Sequence, residues 1–403
     1  MTAASHDDTI IRSQQQWRTV RRFLNQHRHE LAGLGARLHA GQHREGLLLT
    51  GPGWFPPAPV PLDNITLPWS PHAPAPTIDG TEPESDRVWP LRAPGQRYAC
   101  YADALGDLDR PQLFEDRPSY RLLAVDWSDR GGGGNAGRLV FGRGSYFQIL
   151  NICEAVAHEL AAAVLDFPDP GRVELQQLAG RLPFRARITD PFDLQLRPIL
   201  PAITTLTLRR DPAAGTATWL AHWRDPAKVA SGGGLYQVMP VGVFQQATSS
   251  PAAEAGDFDL WRCMAREFNE QLLGAPEPES HDTTLIDYTA WPFFQALEQA
   301  RHADRLQVSC LGLGVDPLTL VCDILMVCVF DAEAFDAIFD GIVTTNAEGR
   351  LVGDGDGDQA PAVAGVPFTQ ESVERFSATK PMQPAGAALL QLAWRYRATL
   401  LSM

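Results

Sequence analysis

The stretch DFDLWRCMAREFNEQLLG, residues 257–274, predicts a helix with one apolar face and one polar face. An aspartate at its start can cap the first turn, and Gly274 can end the helix in the left-handed conformation. Four apolar side chains recur at helical spacing and form one stripe: Leu260, Met264, Phe268 and Leu272. The stripe indicates that this helix packs against a core.

The opposite side of the helix carries a polar strip of Arg266, Glu267, Glu270 and Gln271. Clustered carboxylates on a rigid helix can hold a hard cation such as Mg²⁺ beside a diphosphate. Residues at i, i+3 and i+4 share a face of any helix, so spacing alone favours the solvated side of a surface helix. The sequence on either side of the helix is needed to distinguish a cation site from the solvated side of a surface helix.

In its context the stretch resembles the Nudix family of nucleoside diphosphate-linked moiety hydrolases. The family signature reads Gly, five residues, Glu, seven residues, Arg-Glu-apolar-x-Glu-Glu-x-Gly-apolar, on a loop, helix and loop that follow a strand. Residues 266–270, REFNE, match the Arg-Glu-apolar-x-Glu core. GGGLYQVMPVGVFQ, residues 232–245, resembles the strand before the family's helix, and residues 306–331 resemble the paired strands after it. The resemblance covers about residues 198–376.

The resemblance implies a ligand and a role for each polar residue. The ligand would be a nucleoside diphosphate joined to another group and bound with Mg²⁺, and water would attack one phosphorus of the diphosphate. Glu267 and Glu270 would be the catalytic residues and the metal ligands. Arg266 would orient the two glutamates by ion pairing, and Gln271 would offer a carbonyl oxygen behind them.

Three departures from the signature lower the expected affinity for the metal. Gln271 replaces the second adjacent glutamate, one leucine is inserted before the closing glycine, and Phe258 stands at the position of the upstream glutamate. The strip therefore has two carboxylates where the family has three or more, so Mg²⁺ affinity and water activation should both fall. Glu254, Asp257 or Asp259 would have to fold back to replace the missing charge.

The chain divides into four predicted segments. Residues 1–50 form an amphipathic helical segment and residues 51–80 a proline-rich connection. Residues 81–195 form a mixed α+β N-terminal domain, and residues 196–403 form the Nudix-like domain with a C-terminal helix. Strands on both sides of the central helix predict an α+β or α/β sandwich with a mixed sheet in the C-terminal half.

Shorter patterns predict individual elements. YRLLAVDW and RLVFG, residues 120–127 and 138–142, predict a β-hairpin, and the apolar spacing over about 148–165 predicts a helix. In the proline-rich connection, five apolar residues can fasten an extended chain to a domain surface: Trp54, Phe55, Ile65, Leu67 and Trp69. A packed connection is favoured over a proline motif that binds a partner.

Composition and charge exclude several classes of function. A net charge of −14 argues against extended nucleic-acid binding, and no run approaches the roughly 18 uncharged apolar residues of a membrane span. Residues 1–45 differ, with seven arginines against four acidic residues, so this segment is the candidate contact for an acidic protein partner or for another part of this acidic chain. The start of the chain lacks a secretory signal pattern, which indicates a cytoplasmic protein.

Three functions therefore remain open. The depleted strip favours binding of a nucleotide diphosphate-type ligand with weak or lost Mg²⁺-dependent hydrolysis. An efficient diphosphohydrolase is the second. The third is a ligand-sensing regulator or a scaffold that acts through a protein partner without catalysis.

Overall fold

The computed structural model shows a mixed α+β fold. It describes residues 6–111, 114–127, 136–168, 172–178, 180–225, 228, 233–276, 285–346, 348–353 and 365–402. The strands are β1 (His43–Glu45), β2 (Leu48–Thr50), β3 (Val60–Pro61), β4 (Ile65–Thr66), β5 (Leu91–Ala93), β6 (Gln96–Arg97), β7 (Pro118–Asp126), β8 (Gly137–Ser145), β9 (Ala202–Asp211), β10 (Thr216–Trp219), β11 (Ala221–Arg224), β12 (Tyr236–Val238), β13 (Val241–Val243), β14 (Leu306–Val315), β15 (Cys322–Asp331), β16 (Gly349–Val352) and β17 (Val366–Pro367). The helices are α1 (His6–Gln26), α2 (Arg28–Leu38), α3 (Tyr101–Leu108), α4 (Phe147–Ile149), α5 (Ala155–Leu165), α6 (Leu175–Leu178), α7 (Pro183–Arg187), α8 (Ala253–Asp257), α9 (Leu260–Leu273), α10 (Pro292–His302), α11 (Ala332–Ile338), α12 (Gln370–Glu374), α13 (Pro384–Arg395) and α14 (Arg397–Leu400).

The largest sheet runs in the order β1-β2-β14-β15-β9-β10-β17. β15 and β9 are parallel, whereas β14 and β15 are antiparallel. β9 is long enough to pair on its other side with two strands, because β13 takes residues 202–204 and β10 takes residues 208–211. Residues 322–330 of β15 are buried on both faces of the sheet, which explains their nearly unbroken apolar sequence.

The proline-rich connection is fastened to this sheet. β2 and β3 both pair with β14. Trp54 is buried, and its backbone oxygen accepts a hydrogen bond from Leu313 N at 3.0 Å. The Phe55 ring fills the space that a Cβ at Gly312 would need, and Gly312 has a φ of 134° within a bulge of β14. The expected anchoring by Trp54 and Phe55 is confirmed.

The predicted hairpin and long helix are both present. β7 and β8 pair antiparallel, and β7 also reaches the C-terminal half, because Tyr120 N donates to Phe244 O at 3.1 Å. Tyr146–Leu165 is continuous helix, built from α4, a π-helical turn over Leu150–Glu154, and α5. Among the described residues it is the one helix long and apolar enough to cross a membrane, but 78% of its most apolar window is buried within the protein. That burial is typical of a core helix.

Segments on either side of residue 196 share one core. A single cluster of buried side chains contains Trp17, Trp54 and Tyr120 together with Phe268 and Phe330. The N-terminal helix α1 packs its apolar face against α5 in a neighbouring cluster. Burial of this kind couples the stability of the two halves.

We expect residues 196–403 to be unfolded when they are expressed as a fragment. The fragment would lose β1, β2 and β3 from the β14 side of the sheet and would expose the face of Phe244 that packs on Tyr120. Circular dichroism and urea denaturation, compared with the full chain, check this expectation. A cooperative unfolding transition in the fragment would instead establish a domain boundary near residue 196.

Candidate functional site

The helix predicted within residues 257–274 is α9, and residues of the expected types fix its ends. Asp259 accepts hydrogen bonds from the backbone N–H groups of Trp261 and Arg262 at 2.8 and 3.1 Å. Gly274 has a φ of 70° and ends the helix. All four residues of the apolar stripe are buried: Leu260, Met264, Phe268 and Leu272. Packing of this stripe holds the polar strip beside β13.

Arg266 belongs to a hydrogen-bond network at the start of α9. Its guanidinium donates to Asp257 Oδ1 at 3.2 Å, to the Tyr288 hydroxyl at 2.5 Å and to the Gln245 backbone oxygen at 2.6 Å. The Tyr288 hydroxyl donates in turn to Asp257 Oδ1 at 2.7 Å. In the described part of the chain these groups are the hydrogen-bond partners of Arg266, which therefore ties α9 to α8 and to the loop before α10.

Glu267 lies directly over β13. A Cβ added at Gly242 would collide with the Glu267 carboxylate, so the glycine is what permits this close approach of helix and strand. Gln271 Nε2 donates to Glu267 Oε2 at 2.9 Å. The carboxylate is thus packed between a strand backbone and an amide, which fixes its orientation.

Gln271 is only 3% exposed and uses both ends of its amide. Its Oε1 accepts from Val241 N at 3.1 Å, and its Nε2 donates to Val241 O at 2.7 Å as well as to Glu267. An ionised glutamate has no donor and would face both the Val241 oxygen and the Glu267 carboxylate. The Gln271 oxygen is therefore engaged by the strand, and the side chain bridges α9 to β13.

Glu267 and Glu270 line both a pocket and an adjoining cleft. The first is a pocket of about 350 Å³ whose lining also includes Arg117, Ile286 and Trp291. The second is a cleft of about 760 Å³ that continues from α9 along β13 to residues of α2, of the long helix and of the start of β15. A small-molecule ligand fits either volume.

The cleft carries more negative than positive side chains. Seven carboxylate residues line it: Glu115, Glu154, Glu267, Glu270, Asp316, Asp323 and Glu348. Three arginines and one lysine line it as well, beside His29: Arg28, Arg117, Arg224 and Lys228. The three arginines pair with Glu154, Glu115 and Glu348 respectively. By formal charge the lining has more carboxylates than arginines and lysines, which favours cations over free anions where these carboxylates are ionised.

Asp323 is a buried carboxylate on the wall of this cleft. It is 7% exposed, and its Oδ1 accepts a hydrogen bond from Thr204 Oγ1 at 2.7 Å. Burial raises the pKa of Asp323 to about 7, and the nearby carboxylate of Asp316 acts in the same direction.

Three acidic residues near α9 could replace the glutamate that the sequence lacks at position 271. All three form contacts with other groups. Glu254 forms two hydrogen bonds with Arg143, at 2.7 and 2.6 Å. Asp257 belongs to the Arg266 network, and Asp259 caps α9. Among the described residues, no group of three or more His, Cys, Asp or Glu side chains is placed to hold a metal ion.

Glu267 and Glu270 fit Mg²⁺ only together with oxygens of a ligand. Mg²⁺ is commonly held by one or two carboxylates and completes its coordination with water and substrate phosphates. Two carboxylates one turn apart on α9 meet that minimum. A site built from protein groups alone would need a further donor, and the Gln271 oxygen is already bonded to Val241 N.

Sequence reasoning missed two residues that shape the pocket and the cleft. Gly242 lies in the segment PVG that was compared with the approach to a Nudix helix, but its contact with Glu267 depends on the helix packing. Asp323 interrupts the apolar run LVCDILMVCVF, and a charged residue inside such a run was the available signal.

No protein-family model matches this chain, and no curated protein matches it significantly.

We expect Gln271→Glu to destabilise the protein by roughly 2–4 kcal/mol at pH 7, because it removes a donor to Val241 and places two carboxylates in contact. Urea denaturation measures the loss. The matched control is Gln299→Glu, the same chemical change at an exposed position of α10. Equal stability of the two variants would contradict the bridging role of Gln271.

The raised pKa of Asp323 predicts a loss of stability between pH 4 and 7. The folded protein keeps this proton up to about pH 7, whereas the unfolded chain releases it near pH 3.9. The stability from protonation is therefore complete below pH 3.9 and is lost as the pH rises through 7. Asp323→Asn, which keeps an oxygen for the Thr204 hydroxyl, should remove up to about 4 kcal/mol of this dependence. Urea denaturation from pH 4 to 8 tests it, and parallel curves for the two proteins would refute it.

Proposed function

We propose that this chain binds a nucleotide diphosphate-type ligand in the pocket against α9 and hydrolyses it weakly or not at all. The observation that carries the proposal is the commitment of Gln271 to Val241, which leaves Glu267 and Glu270 as the two carboxylates that α9 offers to the pocket. A ligand-binding role needs no more than this pair, whereas efficient metal-assisted hydrolysis in the family that the sequence resembles uses a larger set.

The pocket offers groups of several chemical kinds to such a ligand. Trp291 and Ile286 provide an aromatic and an aliphatic surface against which a base can pack. Arg117 provides a positive group at the pocket wall, in addition to its pairing with Glu115. These features match the combination of ring and phosphate in a nucleotide.

The carboxylates set a condition on the binding of phosphates. Glu267 and Glu270 repel a free diphosphate, so the ligand should bind together with a divalent cation. Mg²⁺, when bound there, would supply positive charge between the carboxylate oxygens of the glutamates and the phosphate oxygens of the ligand. The residues of this chain that would hold it are Glu267 and Glu270.

Weak hydrolysis follows from how Glu267 is held and from the contacts of the other acidic residues near α9. Glu267 is packed against Gly242 and accepts a hydrogen bond from Gln271. Glu254, Asp257 and Asp259 are bound to other groups and do not line the pocket. If Glu267 and Glu270 hold the cation, none of these three acidic residues is placed to take a proton from water. This arrangement favours a binding or sensing role.

We expect ADP-ribose or ADP with MgCl₂ to raise the melting temperature, and neither nucleotide to do so with EDTA. Glu270→Gln should abolish the shift, because it removes one of the two charges that face the phosphates. The matched control is Glu371→Gln, at an exposed position on α12. If no nucleotide shifts the melting temperature with or without Mg²⁺, the proposal is wrong.

Release of AMP from ADP-ribose separates binding from catalysis. We expect no more than slow release by the wild-type protein, and none by Glu270→Gln. Rapid release that Glu270→Gln abolishes would make the chain an efficient hydrolase.

The close approach of Glu267 to β13 gives an independent check. Gly242→Ala should push the Glu267 carboxylate out of its place and weaken the nucleotide-dependent shift at least several-fold. Gly256→Ala is the control, because a Cβ there meets nothing within 4 Å. An unchanged nucleotide affinity in Gly242→Ala would show that Glu267 does not contribute to the site.

The scaffold alternative stays a prediction in a narrower form. Val20 and Leu24 of α1 are buried in the core, so a partner would have to use the exposed side of this helix, where Arg18 and Arg22 lie one turn apart. Arg18 also donates to Leu108 O, whereas the hydrogen bonds of Arg22 stay within α1. Replacing Arg22 with glutamate and measuring co-purification of partners therefore tests it.

A further inference from the structure

Three neighbouring strands place a carboxylate in the cleft at a distance from α9. Val243 of β13, Ala202 of β9 and Asp323 of β15 are direct partners across the sheet. Direct partners project from the same face, and strands lie about 4.8 Å apart, so the row spans about 10 Å. All three residues line the cleft of about 760 Å³.

Asp323 has no countercharge in the described part of the chain. Its Oδ1 accepts from Thr204 Oγ1, and Oδ2 accepts no hydrogen bond there. The charged neighbour that acts on it, Asp316, has the same sign. Removing a carboxylate from water is costly unless a cation or several donors face it. The side chain therefore presents an unfilled acceptor to the cleft.

The cleft wall next to this carboxylate is apolar. Ile149 belongs to a small buried cluster that is separate from the main core, and Tyr146, Val243 and Val321 pack against that cluster. These four residues also line the cleft. Aliphatic surface beside an aromatic ring suits the organic body of a cation, and the ring face itself attracts positive charge.

The loop between β14 and β15 frames this end of the cleft and is held firmly. Asp316 Oδ1 accepts from the backbone N–H groups of Leu318 and Thr319 at 2.9 and 2.8 Å. Arg197, which is 1% exposed, donates to Leu320 O at 2.7 Å. A wall fixed in this way costs little to organise when a ligand binds.

We propose that this end of the cleft binds a small organic cation, with its ammonium or guanidinium group against Asp323 and its apolar body against Tyr146, Ile149, Val243 and Val321. The site is distinct from the Glu267–Glu270 pair and stands whether or not a nucleotide binds at α9. Above about pH 7, where Asp323 is ionised, its negative charge disfavours a free anion. A metal ion held by side chains alone would need three ligating groups, and no such group lies in the described part of the chain.

Isothermal titration at pH 8, where Asp323 is ionised, with phenethylamine and with its neutral analogue phenethyl alcohol tests the proposal on the full chain. Agmatine extends the test to a guanidinium. We expect each amine to bind at least tenfold more tightly than the alcohol. Asp323→Asn should weaken amine binding at least tenfold and leave the alcohol unchanged, because the variant keeps the acceptor for Thr204 and removes only the charge. Asp331→Asn, at the other end of β15, is the matched control and should bind like the wild type.

Amine affinity that is equal in the wild type and Asp323→Asn would overturn the proposal, and so would the absence of amine binding at millimolar concentration. Glu270→Gln separates this site from the nucleotide site. Amine binding should survive that substitution, and Asp323→Asn should keep the Mg²⁺-dependent nucleotide shift. Far-UV circular dichroism of each variant confirms that a loss of binding is not a loss of fold.

Discussion

The pairing of the Gln271 amide with both backbone groups of Val241 sets the distance between α9 and β13. β13 is short and pairs with β9 on one side, so its other side would present an unpaired N–H and C=O group. The amide satisfies both, as a neighbouring strand would. Once the helix is held at this distance, Glu267 has to lie over residue 242, and only glycine leaves room for it.

This pairing also limits the chemistry available at position 271. A glutamate would add a third carboxylate to the strip, but it would lose the donor that meets the Val241 oxygen and would face Glu267. With β13 in its present position, residue 271 cannot both bridge to Val241 through an amide and provide another carboxylate for a metal ion. Metal-assisted chemistry at this helix would need its additional carboxylate from another element, and the acidic residues nearest to α9 are already bound to other groups.

Features set by local sequence were predictable, and features set by distant partners were not. The ends of α9 follow from Asp259 and Gly274, and β15 follows from its own apolar run. By contrast, GLYQVMPVGVFQ reads as one strand but is divided into β12 and β13 at Met239 and Pro240, since proline cannot donate to a ladder. β13 can join the sheet because β9 is long enough to pair with both β10 and β13.

The partners of individual polar residues were the least predictable part of the site. Arg266 was expected to serve the glutamates beside it, but its hydrogen bonds go to Asp257, Tyr288 and Gln245, which are 9, 22 and 21 residues away in the chain. The burial of Asp323 depends on β9 and β13, so its sequence position alone could signal a buried charge but not what faces it. Residue type fixes what a side chain can donate or accept, whereas packing decides which partner receives it.

The surplus of carboxylates acts in opposite ways on the two proposed ligands. Near α9, Glu267 and Glu270 are compatible with phosphates only when a cation lies between them. At Asp323 the ligand itself carries the positive charge, so no bridging ion is required. Under the two proposals, the cleft would hold an organic cation at Asp323 and would admit a diphosphate near α9 only together with a metal ion. The dependence of binding on Mg²⁺ therefore separates the two proposed sites, because the phosphates at one need a bridging cation and the amine at the other does not.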